Sequence, residues 1–316
     1  VWSAGGVKAL SLQLGLVALL FALCTVLPAY HQGNFARVMV LAVYAMGYNV
    51  LFGYTGLLSL GHAMFFAAGM YGTGLASLHF GTPMILALPL GAIAGALLAA
   101  VLGVLFLRAK GVGFMIVPLM FAQAVYLTIL YFGEVTGGDE GVVLQPAGRV
   151  LAGADLTNPD NRYLAAWGLF SLAFVATYWL VRRPFGKTLI AIRENEERAR
   201  MIGYDTFRFK WQAVVISGAL SGLAGASYGM LFGYVGASFA TVQYSIFPLL
   251  WVLLGGAGTV LGPFVGTLFM FYLIDFSSEI TTAYMLVAGV ALVLLTLFAP
   301  QGIIGELRRR VLRWLP

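Results

Sequence analysis

Met84-Ile-Leu-Ala-Leu-Pro-Leu-Gly-Ala-Ile-Ala-Gly-Ala-Leu-Leu-Ala-Ala-Val-Leu-Gly-Val-Leu-Phe-Leu107 runs without one charged, amide or hydroxyl side chain. At about 1.5 Å of rise per helical residue, a segment of this length crosses a hydrocarbon core of roughly 30 Å. Its apolar character is continuous rather than alternating, which points to a helix and away from a porin-type strand. Working outward, comparable stretches run over 10–28, 37–53, 62–79, 112–133, 163–181, 211–232, 244–254, 261–276 and 283–299. Segment 244–254 is too short to cross unaided, and the glycines after it predict a broken or re-entrant element.

Composition agrees. Of 316 residues, 61% are hydrophobic and 9% charged, with a mean hydropathy of +0.92. Soluble domains carry about 25% charged residues, so a globular enzyme folded in water is excluded, as are disorder and a coiled coil. The 40 glycines suit membrane helices that approach closely. The expectation is an all-α, polytopic transmembrane helical bundle of about ten spans, one short or broken, forming a single domain over 1–316. The chain begins at Val1 rather than methionine, which leaves open whether residues precede it. Its first apolar run lacks a small-residue cleavage site and reads as a helix rather than a signal peptide.

Charge sets the orientation. Segment 134–162 carries Glu134, Asp139, Glu140, Asp155 and Asp160 against Arg149 and Arg162, a balance of −3. Segment 182–210 carries eight basic residues against four acids, and Arg308, Arg309, Arg310 and Arg313 follow the last span. Arg108 and Lys110 occupy another short loop. By the positive-inside rule, 182–210 and both termini are cytoplasmic, and 134–162 is periplasmic. The same rule accounts for the net charge of +6 without nucleic acid as a partner. Five apolar segments in each half give the halves opposite orientation, the arrangement of an inverted repeat. Gly53-Tyr-Thr-Gly56 is echoed by Gly255-Gly-Ala-Gly258. Both fall on the cytoplasmic side, which an inverted repeat does not predict.

The rare polar residues exclude several activities. A lone Cys24 and three dispersed histidines offer no metal-ligand spacing and no internal disulfide. Gly186-Lys187-Thr188 resembles the end of a phosphate loop, but Val181 stands where its first glycine belongs. No catalytic residues and no bound cofactor are expected. Asp275 and Glu279 share the outer end of a helix and read as two solvated carboxylates rather than ion-coupling groups. Energy for uphill transport must then come from a partner.

The segment from Gly186 to Gly203 carries the most chemistry. Asn195 is an N-cap residue, Glu196 and Glu197 suit the positive first turn, and Arg200 suits the negative last turn. Gly203 falls at the C′ position, and Glu196 with Arg200 forms an i,i+4 pair. One amphipathic helix over 186–203 is predicted. Its polar face mixes acids with bases, which suits a protein surface better than a lipid one.

This segment, with Ala191-Ile-Arg-Glu-Asn-Glu196, then Lys210 and Ile216-Ser-Gly-Ala-Leu-Ser-Gly-Leu-Ala-Gly225, resembles the LivM-type permeases of branched-chain amino acid ABC importers. Four further stretches resemble that family in the same order: 49–62, 136–141, 254–263 and 299–302. The resemblance implies a multi-pass subunit of the bacterial inner membrane. Its implied partners are a second, LivH-like permease, two ATP-binding subunits that use ATP and magnesium, and an extracytoplasmic binding protein. It also implies that 182–210 is the loop coupling to the ATPases, through Lys187, Arg193, Glu194, Asn195, Glu196, Glu197, Arg198 and Arg200. Where such permeases often carry an acid, this chain has Phe121-Ala122-Gln123, and Lys110-Gly-Val-Gly113 also departs from the family pattern. Substrate identity is therefore open: branched-chain or other apolar amino acids lead, with urea, short amides or aromatic acids behind. A passive channel without an ATPase is the alternative of another class. Asn49 and Gln123, amides inside apolar helices, are the candidate translocation path, with Phe114 and Tyr126 near Gln123.

Overall fold

A computed structural model describes residues 4–109, 111–146, 149–151 and 153–310, and they are helical almost throughout. Lys110 and Arg313, two of the basic residues counted above, lie outside the described residues. The order begins α1 (Ala4–Leu23), α2 (Ala29–Asn49), α3 (Ala63–Phe80), α4 (Met84–Phe106), α5 (Val112–Tyr131) and the short α6 (Gly133–Thr136). Three two-residue strands follow, β1 (Val142–Val143), β2 (Val150–Leu151) and β3 (Ala154–Asp155). Next come α7 (Pro159–Arg182), α8 (Pro184–Glu194), α9 (Glu196–Met201), α10 (Thr206–Phe232) and β4 (Tyr234–Val235). The chain continues through α11 (Val242–Gly255), α12 (Gly262–Ile280), α13 (Tyr284–Phe298) and α14 (Gly302–Arg310).

Each apolar segment read from the sequence falls on one of these helices. Five helical stretches are long and apolar enough to cross a membrane by length and composition: Ala29–Tyr54, Met84–Phe106, Gly113–Tyr131, Pro159–Arg182 and Thr206–Phe232. The chain is a helical membrane protein. Prolines mark several starts, because they lack the N–H that a first turn cannot use: Pro28 and Pro83 precede α2 and α4, and Pro159 and Pro184 open α7 and α8. Asn158 caps α7 by accepting the Asp160 N–H at 3.0 Å.

Two helices form the centre. In α2 83% of the membrane-length window is buried and in α10 67%, against 22% in α4 and in α5. Helix α10 approaches α3 and α4 through Gly218, Gly222 and Gly225. A methyl added at Gly222 would lie 2.6 Å from the Gly91 carbonyl oxygen, so the backbones touch where side chains would ordinarily separate them. Helix α2 packs in turn against α7, α11 and α12. Outside this centre, Tyr163 Oη donates to Leu20 O at 2.6 Å and Trp167 Nε1 to Val17 O at 2.9 Å, pinning α1 to α7. Strand β1 pairs antiparallel with β4, Val142 opposite Val235, and ties the acidic segment to the end of α10.

Two readings need correction. Asp275 is not simply solvated. It is half-buried and accepts from Tyr30 Oη at 3.0 Å and Asn34 Nδ2 at 3.3 Å, both on α2. Nor is 186–203 one helix. Asn195 takes an extended backbone (φ −159°, ψ 101°) and its side chain accepts the Arg198 N–H at 2.8 Å, so it ends α8 and starts α9.

Candidate functional site

The charged segment between α7 and α10 is seated in the bundle, and the seat is built from glycine. Helix α8 opens at Pro184 and buries Gly186, Thr188, Leu189 and Ile192 along one face. Leu189 packs into a small apolar cluster with Val50 of the α2 end and Ala213 of α10. At the other end of α8, the Arg193 guanidinium donates to the Gly53 carbonyl oxygen.

Gly53 belongs to a π-helical turn, Val50–Tyr54, that prolongs α2. Asn49, one residue before it, is fully buried. Its amide nitrogen donates to Thr259 O at 2.8 Å, and its amide oxygen accepts the Gly258 N–H at 2.9 Å. A side chain at Gly53 would fall on that amide and lie 2.5 Å from the Gly258 nitrogen. One at Gly56 would lie 2.9 Å from Arg193 Cγ, and one at Gly258 3.1 Å from Arg193 Nη1. The two echoing glycine motifs therefore meet each other, and Arg193 fills the notch between them. A one-residue widening of a helix is uncommon and recurs at functional positions.

Helix α9 is held separately. The Glu196 carboxylate takes the Lys210 ammonium of α10 and the Arg200 guanidinium at 3.3 Å. Burial pushes its carboxyl up, but Lys210, the Thr206 hydroxyl and Arg200 outweigh that and hold it below the ordinary 4.5. A carboxyl depressed by folding contributes stability above its ordinary pKa and loses it as pH falls through the lower, folded value. Glu196→Gln is accordingly expected to lower the melting temperature of the purified protein at pH 7. That difference should close on acidification below the ordinary 4.5, a comparison that scanning fluorimetry makes directly.

Two grooves flank α8 and α9. One, of about 740 Å³, lies between the 56–58 loop, the 107–115 turn and Glu196, Glu197, Arg200 and Lys210. The other, of about 690 Å³, is lined by Arg193, Arg308 and Arg309 with Thr259 and Gln301.

The predicted residues thus divide. Arg193, Asn195, Glu196 and Arg200 make bonds within the chain, although all but Glu196 are exposed as whole residues. Lys187, Glu194, Glu197 and Arg198 are exposed and form no ion pair among the described residues. The candidate path residues are not gathered into one surface. Asn49 braces the glycine turns, which removes its amide from an aqueous path. Phe114 is buried against Phe106, ring centroids 5.6 Å apart, and also lines the first groove. Gln123 is exposed on the outer side of α5, with Tyr126 half-buried one turn on. The parts that sequence reasoning missed are Gly53, Gly56 and Gly258 as the seat of Arg193; the glycine echo was their signal.

The structure is thus a glycine-packed helical bundle with a charged loop seated between α7 and α10. The family described as branched-chain amino acid transport system, permease component, matches residues 33–298, and the chain belongs to it. It is a multi-pass inner-membrane permease of the ABC class. The high-affinity branched-chain amino acid transport system permease proteins LivM of Salmonella typhimurium and Escherichia coli are each 29% identical to it. Each match covers 85% of this chain and 69% of the relative. A probable branched-chain amino acid transport permease LivM of Methanocaldococcus jannaschii is 27% identical over 71% of this chain and 68% of its own. No solved structure matches the chain.

Proposed function

We propose that this chain is one permease subunit of an ATP-driven importer for branched-chain or other apolar amino acids. The observation that carries the reading is Arg193: midway along a charged loop of family type, one side chain bonds the Gly53 carbonyl and packs beside Gly56 and Gly258, where two turns of the bundle meet. The exposed Lys187, Glu194, Glu197 and Arg198 then form the face that docks an ATP-binding subunit. Movement of α8 reaches the ends of α2 and α11 through Gly53 and Gly258. Mg-ATP is bound and hydrolysed by two such partner subunits, and an extracytoplasmic protein delivers the substrate. A ligand-driven shift between two states requires contacts that differ between them, and a side chain seated across two turns supplies one.

In this reading the chain crosses the membrane ten times, with both termini and 182–210 cytoplasmic and 134–162 periplasmic. The packing favours two inverted five-helix halves. Helix α10, second in its half, packs on α3 and α4, the third and fourth of the other. Helix α2 packs on α11 and α12 in the same exchanged manner. The pore lies between this chain and a second, LivH-like permease along the exposed side of α5, which carries Gln123 and Tyr126. An amide facing lipid would lack partners, at a cost of about 1–3 kcal/mol, whereas an aqueous path hydrates it. Gln123→Leu should therefore slow uptake several-fold with the melting temperature unchanged. A lowered melting temperature with uptake per complex intact would assign Gln123 to helix contact instead.

The function itself is tested in proteoliposomes containing this chain, its second permease and its ATP-binding subunits, with binding protein inside or outside. Labelled leucine should accumulate only with ATP. Downhill leucine entry without ATP would make the chain a channel. Accumulation of urea or short amides but not leucine would move the substrate class.

A further inference from the structure

A second feature lies on the opposite side of the bundle from Arg193 and is used by nothing described so far. A cavity of about 440 Å³ opens between α2, α10, α11 and α12, walled by Tyr228, Tyr244, Phe247, Trp251 and Phe271, with Asp275 at its edge. Its aromatic rings are mutually packed: Tyr228 and Phe239 lie 5.1 Å apart, and Phe247 stacks on Trp251 at 5.8 Å. Both hydrogen bonds received by Asp275 fall on Oδ2 and come from neutral donors. No cation among the described residues pairs with it, so Oδ1 remains an open acceptor.

The opposite charge stands just outside the cavity lining. Arg37 sits over the Phe232 ring, 5.2 Å from its centroid, and Arg162 over the same ring at 5.6 Å. Phe232 in turn touches Tyr228 of the cavity wall, centroids 4.7 Å apart. Neither arginine has a carboxylate partner among the described residues, and Arg162 Nε is buried without a hydrogen bond. Along α2, Tyr30, Asn34, Arg37 and Leu41 recur at i, i+4, i+7 and i+11, a single helical face. Tyr30 and Asn34 hold Asp275, Leu41 lines the cavity, and Arg37 stands between them, about 4.5 Å along the axis beyond Asn34. An apolar cleft with an unpaired carboxylate in its lining thus has an unpaired guanidinium one helical turn from that carboxylate's partners, over a ring that packs on the cavity wall.

We infer that this cavity is an outward-side binding site for a zwitterion on an apolar body. Its ammonium meets Asp275 Oδ1, its carboxylate meets Arg37, and its aliphatic side chain lies among the aromatic rings. The volume falls in the range of small-molecule sites, roughly 300–1,000 Å³, and aromatic faces beside a carboxylate favour a cation. This deepens the reading of the chain as an apolar amino acid permease and rests on it. A phosphatidylethanolamine headgroup offers the same pair of charges, so the test separates the two sources.

The experiment uses the whole transporter in nanodiscs of phosphatidylcholine and phosphatidylglycerol, without ATP or binding protein, observed by saturation-transfer NMR of leucine. Leucine methyls should receive saturation, whereas 4-methylpentanoate and isoamylamine, each lacking one charge, should compete poorly. Asp275→Asn and Arg37→Gln should each weaken leucine at least tenfold, with Asp275→Glu restoring part of the loss. Should Asp275→Asn elute as aggregate, the exposed Arg37→Gln carries the test. Parent-like binding in the variants overturns the site, as does loss of the leucine signal when phosphatidylethanolamine is added. Leucine delivered by the binding protein is also assayed for stimulation of ATP hydrolysis in the same preparation. Stimulation without saturation transfer sinks the cavity alone, and no stimulation by leucine sinks the substrate class and the cavity with it.

Discussion

Gly225→Ala is expected to be among the most damaging single-methyl changes at the described glycines. The added carbon would overlap the Phe66 carbonyl oxygen of α3, with the Phe66 carbonyl carbon at 2.8 Å and the Met70 nitrogen at 3.2 Å. Relaxed contacts of this kind sit near 3.5–4.0 Å, and the obstacle is backbone, which cannot rotate aside. Alanine's helix-propensity gain is about 1 kcal/mol. Overpacking a tight interface costs about 1–3 kcal/mol, occasionally more, and here two helix axes must part. The overlap wins. The purified protein should lose more than about 10 °C of melting temperature, or fail to elute as one species. Gly289→Ala is the control: nothing lies within 4 Å of its added carbon, so its melting temperature should hold or rise slightly with the propensity gain.

The second large effect concerns Arg193 and separates it from its neighbour Glu194. Arg193→Gln removes a charge-assisted bond to Gly53, an interaction of about 1.5–3 kcal/mol, and empties the notch beside Gly56 and Gly258. In the reconstituted transporter, leucine uptake should fall at least about tenfold, the equivalent of 1.4 kcal/mol. ATP hydrolysis should become insensitive to leucine while the subunits still co-purify. Glu194 is exposed and makes no side-chain hydrogen bond or ion pair among the described residues, so Glu194→Arg breaks no bond within them. Surface ion pairs contribute about 0–1 kcal/mol, so that change should loosen assembly a few-fold and leave each assembled complex coupled. Equal effects from the two substitutions would deny Arg193 its special place.

How much of this was legible beforehand follows from how local each feature is. The apolar helices were legible because length and apolar continuity are properties of one segment. The N-cap at Asn195, the Glu196–Arg200 pair and Gly203 (φ +99°) were local as well. The break that the same Asn195 imposes was overlooked, because capping α9 also meant an extended residue that ends α8. The amide of Asn49 could not be assigned from its own helix, since its partners stand at Gly258 and Thr259, more than two hundred residues on. For the same reason the glycine echo was visible as sequence but not as a contact. Asp275 looked solvated because Tyr30 and Asn34 lie at the other end of the chain. Gln123 is exposed on α5, so its contacts are not a property of its own helix.

The central claim is that 182–210 faces the cytoplasm and docks an ATP-binding subunit, and crosslinking from one cysteine tests it most directly. In a Cys24→Ser background, Glu197→Cys carries a short photo-crosslinker in inverted membrane vesicles, with Asp155→Cys as the opposite-face control. The account predicts an adduct between residue 197 and the ATP-binding subunit. It also predicts that in intact cells an impermeant thiol reagent labels residue 155 and spares residue 197. Labelling of residue 197 from outside, with no adduct to the ATP-binding subunit, would contradict it.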